Sequence, residues 1–198
     1  GTPKTKSVLG WMRELPLFIE TDEFRVVHAA WIQPTINDLR GHSETGVLSE
    51  ELLIQAGREG DDIYHIVETL TKGPEQRLPE AYFFTDKDGH VRHHVRLKWW
   101  KGDASTWREV AISVPDLEQI PDEPLPPSLT TSIYPADERP VLFGHYWMSG
   151  EPEIQSGNAV CLDFSAGTDG PLVTYAFGAG SRKLSRANLA VHAALTVN

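Results

Sequence analysis

The sequence has one cysteine, two methionines and fewer basic than acidic residues, 18 Lys+Arg against 28 Asp+Glu in 198 residues. A lone cysteine makes no internal disulfide. Cys161 sits in the apolar run Ala159-Val160-Cys161-Leu162, which reads as a small buried core residue rather than a nucleophile, and a reducing cytoplasm fits best. The net charge of −10 argues against general nucleic-acid binding, which depends on neutralising phosphates, although a local basic pocket is compatible with it. No apolar run approaches the roughly 20 residues of a membrane-spanning helix, so no membrane partner is expected. What is present is ordinary for a folded domain: 40% hydrophobic and 23% charged residues, and a length suited to one domain with a large insertion. Eight histidines and six tryptophans are many for this length, so the question is which histidines have a ligand.

Val8, Trp11, Met12 and Leu15 recur at helical spacing over 4–15, and Pro16 stops that helix. Leu17 to Glu20 and Phe24 to Ala30 flank Thr21-Asp22-Glu23 as a hairpin whose second strand ends at His28. Residues 35–46 read as a loop with at most a short helix. Ser49-Glu50-Glu51 resembles a helix start. Asp61 to Leu70 places Ile63, Ile66, Val67 and Leu70 on one helical face. Tyr82 to Thr85 and Val91 to Trp100 surround the turn sequence Asp86-Lys87-Asp88-Gly89 as another hairpin. Seven of the 14 prolines fall between Pro115 and Pro140, which predicts an extended surface connection. Short strands follow at 140–145, 158–164 and 172–177, and Ser185 to Leu195 reads equally as helix or strand.

Two histidines share one setting. Val26-Val27-His28 and Leu142-Phe143-Gly144-His145 each end an apolar strand-like run, the position at which α/β sheets present ligand-binding residues. Neutral imidazole is a common transition-metal ligand, and Gly144 would permit close approach of backbone or ligand.

Three blocks, Arg25-Val26-Val27-His28-Ala29-Ala30-Trp31, Val141-Leu142-Phe143-Gly144-His145-Tyr146-Trp147, and Asn158 to Gly167 with Leu172-Val173-Thr174-Tyr175 after it, resemble the calcineurin-like metallophosphoesterases. The bacterial members related to phosphoprotein phosphatases and diadenosine-tetraphosphate hydrolases are the nearest in kind. The resemblance covers roughly 8–36 and 139–177. It implies an α/β fold, part of the αββα sandwich of metal-dependent phosphatases, with 1–45 and 139–198 as core and 46–138 as an α+β insert. It further implies that His28 and His145 ligate two divalent ions (Mn, Fe or Zn), that Asp163 to Gly167 lie beside the site, and that the substrate is a phosphorylated small molecule, a nucleotide or a phosphoprotein.

The family's opening motifs, Asp-x-His, Gly-Asp-x-x-Asp-Arg-Gly and Gly-Asn-His-Asp/Glu, do not occur here in order. Asp88-Gly89-His90, Gly60-Asp61-Asp62 and Gly157-Asn158-Ala159 are decoys by position or by a missing residue. The resemblance therefore implies that the catalytic residues and remaining ligands lie upstream of Gly1, that the chain associates with that missing half or with itself, and that it is inactive alone. A non-catalytic interaction domain on the same scaffold is the alternative. By position, Arg96, Lys98 and Lys101 are candidates for binding phosphate.

His90, His93 and His94 read as solvated side chains, and Trp99 and Trp100 as one core residue and one surface or pocket-wall residue on a regular strand. Asp86 and Asp88 read as a plain turn, because the flanking helices and the later glutamate of a calcium loop are missing.

Overall fold

In a computed structural model the chain is mixed α/β, and the structure describes residues 1–178, 180, 181 and 183–193. Helix α1 (Pro3–Arg13) starts with Thr2 capping the Thr5 N–H and leads into β1 (Phe18–Glu20), which pairs antiparallel with β2 (Arg25–Val27). Helix α2 (Gln33–His42) follows, where the sequence predicted mostly loop. Pro34 fits its first turn and needs no N–H partner there, while Ile36 and Leu39 are the only buried side chains, too sparse a stripe to read as a helix. Helices α3 (Glu50–Ala56), capped by Ser49, and α4 (Asp62–Lys72) match the expected starts.

The next segment carries β3 (Glu75–Arg77), β4 (Phe84–Thr85), β5 (Val91–Arg92), β6 (His94–Leu97), α5 (Trp107–Val110) and β7 (Ala111–Ile112). The β4–β5 hairpin closes through Asp86, whose Oδ1 accepts the N–H groups of Asp88 and His90. The decoy Asp88-Gly89-His90 is therefore a turn. The strand expected over 91–100 breaks at His93: β6 pairs with β3 and β7 and ends at Leu97. Trp99 and Trp100 consequently lie in a turn, and both belong to the core, at 0% and 4% exposure, which corrects the expectation that one of them is a surface or pocket-wall residue.

The proline-rich stretch is also corrected. It does not simply run extended over the surface, because Leu117–Gln119 and Pro127–Ser132 form 3-10 turns and Ile120, Leu129 and Tyr134 are buried. Apolar side chains at intervals make a strap of what proline content alone suggested was a spacer.

The remaining strands are β8 (Val141–Phe143), β9 (Ala159–Cys161), β10 (Leu172–Tyr175) and β11 (Leu189–His192). Strand β11 resolves the ambiguous C-terminal piece as extended over those residues; its predicted end at Leu195 lies outside the described residues. The main sheet has the order β1-β2-β8-β9, with β2, β8 and β9 mutually parallel. Strands β8 and β9 are wholly buried, as the near-continuous apolar runs of parallel strands require. Cys161 is among them, and burial pushes its thiol up to about 12.

Two cores result. The first joins Val27, Val141, Phe143 and Ala159 of the main sheet to Ile63, Ile66 and Leu70 of α4, together with Trp99, Trp100 and Tyr134. The second gathers Leu78, Phe84, Val95, Trp107, Val110, Ile120 and Leu129. The 46–138 segment therefore divides in packing, with α4 and the tryptophan pair belonging to the main core. Among the described residues no helix is long and apolar enough to cross a membrane.

Candidate functional site

Strands β2 and β8 lie side by side and run the same way, with Arg25 opposite Val141 and Val26 opposite Leu142. Their C-terminal ends therefore open at one edge of the sheet. His28 follows β2 and Gly144-His145 follows β8, and the two imidazoles come to 5.5 Å between ring centroids. The loops are tied through backbone, since the Gly144 N–H donates to the His28 carbonyl at 2.9 Å. A Cβ at Gly144 would stand 3.3 Å from the Asp163 Cβ and 3.5 Å from that carbonyl oxygen, so glycine permits the close approach.

His145 and Trp147 both adopt left-handed backbone, φ 76° and 47°, a conformation that costs a non-glycine residue about 1 kcal/mol or more and gathers at functional sites. The conformation sends Tyr146 inward and Trp147 out, the latter 70% exposed. Asp163 closes the side next to β9: its carboxylate accepts the Trp147 N–H at 3.3 Å and the Ser165 N–H at 3.0 Å, and its carbonyl accepts the Met148 N–H at 2.9 Å. Asp163 thus fastens the His145 loop, in the neighbourhood expected for it.

Burial lowers the basicity of His145, and the nearby charges of Arg96 and His28 lower it further, against a smaller opposing effect of Asp163. These effects favour the neutral ring, the form that ligates metal. Among the described residues its Nε2 is buried with no hydrogen-bond partner, and an unpaired buried nitrogen costs about 1–3 kcal/mol. His28, by contrast, is exposed. The pair suits a metal ion by donor chemistry, two borderline nitrogen donors at adjoining strand ends. Among the described residues no group of three His, Cys, Asp or Glu side chains is placed to hold one, so two imidazoles stand where a dinuclear centre needs several more ligands.

Of the three cations chosen by position, Arg96 is the one whose charge acts on His145. It projects from β6 with Nη2 donating to Glu75 at 3.0 Å, and with Lys72, Gly73 and Glu75 it lines a cavity of about 650 Å³. Lys98 and Lys101 lie elsewhere: the half-buried Lys98 ammonium is depressed by burial and then by Lys101, while Lys101 acts on Glu109 in the capping box of α5. His90, His93 and His94 are exposed, as expected of solvated side chains.

Sequence reasoning missed Lys72, Gly73 and Tyr146. Gly73 has a positive φ of 83° and follows α4 directly, a helix-end glycine by pattern; nothing local indicates that it abuts Tyr146. The chain matches no protein-family model, no curated protein and no solved structure.

Proposed function

We propose that the chain is part of the scaffold of a dinuclear metal-dependent phosphoesterase, with the αββα sandwich of that class, in which His28 and His145 each ligate a divalent ion (Mn, Fe or Zn). The observation that carries this reading is the pairing of two histidines from adjacent parallel strand ends, 5.5 Å apart, one with a buried and unpartnered ring nitrogen. Two ions of that kind polarise a phosphoryl group and activate water for in-line attack. The protein's own part is to fix both imidazoles through the Gly144–His28 backbone bond and to fasten the His145 loop through Asp163. The remaining ligands come from outside this chain, so the isolated protein hydrolyses an aryl phosphate at close to background rate with Mn²⁺. The substrate class is phosphate esters or anhydrides, of small molecules, nucleotides or phosphoproteins, in a reducing cytoplasm that suits the buried Cys161.

Calorimetric titration with Mn²⁺ tests the reading. Saturable binding that falls at least tenfold in both His28→Ala and His145→Ala is expected, since each variant removes one ligand; binding indifferent to both substitutions overturns it. A non-catalytic interaction domain is favoured by one feature, the fully exposed α1 with Val8, Leu9, Trp11 and Met12 uncovered, and predicts no histidine-dependent metal binding.

A further inference from the structure

Among the described residues three buried side-chain nitrogen or oxygen atoms have no hydrogen-bond partner: Arg96 Nε, His145 Nε2 and Tyr146 Oη. Buried polar atoms are overwhelmingly paired, and each exception calls for an explanation. Here the exceptions share one neighbourhood. His145 and Tyr146 are consecutive, with ring centroids 5.7 Å apart. The Tyr146 hydroxyl lies against Gly73, where a Cβ would come within 2.2 Å of it, so the tyrosine occupies room that only glycine leaves. Gly73 and Arg96 wall the same cavity, and the Leu97 N–H donates to the Pro74 carbonyl at 3.0 Å, holding β6 against that turn. The Trp99 indole also acts on the Tyr146 oxygen, ahead of the charge of Arg96, and leaves the O–H without an acceptor.

The three atoms differ in kind. His145 Nε2 is accounted for by the metal reading above. Arg96 Nε–H and Tyr146 O–H are donors. Glu75 engages Arg96 through Nη2 and leaves Nε unmet. Two donors, one of them cationic, call for an acceptor that carries negative charge and several lone pairs. Lys72 lines the same cavity, and although its ammonium pairs with Glu68 at 2.7 Å, it adds a cation at the mouth.

We propose that Arg96 and Tyr146 form an oxyanion subsite beside His145 for the phosphoryl oxygens of the substrate, next to the cavity that Arg96 lines together with Lys72, Gly73 and Glu75. The proposal rests on the phosphoesterase reading for the identity of the anion. It makes Tyr146 a substrate-binding residue and Gly73 the residue that makes room for it.

Titration of the 198-residue chain with inorganic phosphate, in chelator, tests the subsite without any metal. Saturable binding is expected, weakened roughly tenfold in Tyr146→Phe and in Arg96→Lys, the loss of one hydrogen bond to a charged group. Tyr146→Phe removes a single oxygen and keeps the ring against Trp100 and Phe143, at 4.9 and 5.7 Å between centroids, so it remains folded and is the deciding variant; a thermal melt verifies that. Phosphate affinity equal in wild type and Tyr146→Phe, or no saturable binding at all, overturns the proposal and leaves the three atoms to trapped water. A parallel Mn²⁺ titration of the wild type separates the two readings. A chain that binds phosphate but fails to bind Mn²⁺ in its own titration sinks the metal reading alone, and a chain that binds Mn²⁺ but fails to bind phosphate sinks the subsite alone.

Discussion

The indole N–H of Trp99 donates to the carbonyl of Ala29 at 3.0 Å, both groups buried, and so fastens the turn after β6 to the residue directly following His28. The contact is reinforced by aromatic packing: Trp99 and Trp100 meet Phe143 at 4.9 and 4.7 Å, and Trp100 meets Tyr146 at 4.9 Å. The bond to Ala29 and the packing on Phe143 and Tyr146 together connect the middle segment of the chain to both histidine loops. Trp99→Phe keeps most of the packing and removes the donor, leaving a buried carbonyl without it. A loss of about 1–3 kcal/mol is expected, read by urea denaturation, together with a shifted His28 imidazole resonance. An unchanged midpoint would show that the bond contributes nothing.

Gly144 sets the spacing of the histidine loops. An alanine there would press on the Asp163 Cβ at 3.3 Å and meet the His28 carbonyl at an ordinary 3.5 Å, so Asp163, which fastens the His145 loop, must give by a few tenths of an ångström. Gly144→Ala should lower stability by about 1–3 kcal/mol, the usual cost of overpacking, and weaken Mn²⁺ binding. Wild-type affinity in a normally folded Gly144→Ala protein would mean that the loop spacing is not set here.

Glu20 holds three arginines. It accepts Arg25 Nε at 2.8 Å and Arg139 Nη2 at 2.6 Å, and also pairs with Arg40. Arg25 is 5% exposed and also donates to Tyr134 Oη and Glu138. Glu20→Ala leaves a buried guanidinium short of a partner and should cost about 3 kcal/mol, measured by chemical denaturation. Burial pushes the Glu20 carboxyl up, but hydrogen bonds from Arg40 and Arg25 outweigh it, and the net shift is downward from 4.5. Since the folded value is the lower one, this stabilisation is present above pH 4.5 and is lost as pH falls through the folded value. The Glu20→Ala chain should therefore lose less stability than wild type over that window.

The turn at Asp86 is an acid-sensitive unit of its own. Backbone N–H groups of His90 and Asp88, with Arg92, lower its carboxyl from 3.8 to about 2. Folding of the β4–β5 hairpin gains from this group above pH 3.8 and loses the gain as pH falls toward 2. Asp86→Ala should raise amide exchange in 84–92 at neutral pH and leave exchange in β8 and β9 unchanged. Unaltered exchange in the hairpin would contradict this.

Helix α1 has the opposite character, since every residue from Gly1 to Leu15 is exposed, including Trp11 at 59% and Met12 at 54%. An isolated helix of this length is marginal in water, and an uncovered apolar stripe favours association. The double substitution Trp11→Ser, Met12→Ser should change stability by no more than about 0.5 kcal/mol while shifting the protein toward monomer in light scattering. A monomeric wild type would remove association through α1 from consideration.

The amino-acid sequence by itself determined the local elements whose residues repeat at a fixed period or carry a cap. The face of Ile63, Ile66 and Leu70 on α4, the Ser49 cap of α3, the Asp86 turn, and the apolar runs leading into His28 and His145 are all of this kind. Their energetics depend on neighbours within a few positions, so pattern suffices. Helix α2 escaped because two buried side chains, Ile36 and Leu39, make too faint a stripe. The tertiary structure decided what lies next to what. Parallel pairing of β2 with β8 joins the two histidines, the early end of β6 buries both Trp99 and Trp100, and contact of Gly73 with Tyr146 brings a helix terminus to the strand end. Arg96, Lys98 and Lys101 looked alike along the chain; only the pairing of β6 with β3 carried Arg96 to the cavity and left the two lysines elsewhere. Contacts between residues remote in sequence are settled by burial and backbone pairing of the whole chain, and no short window of sequence records them.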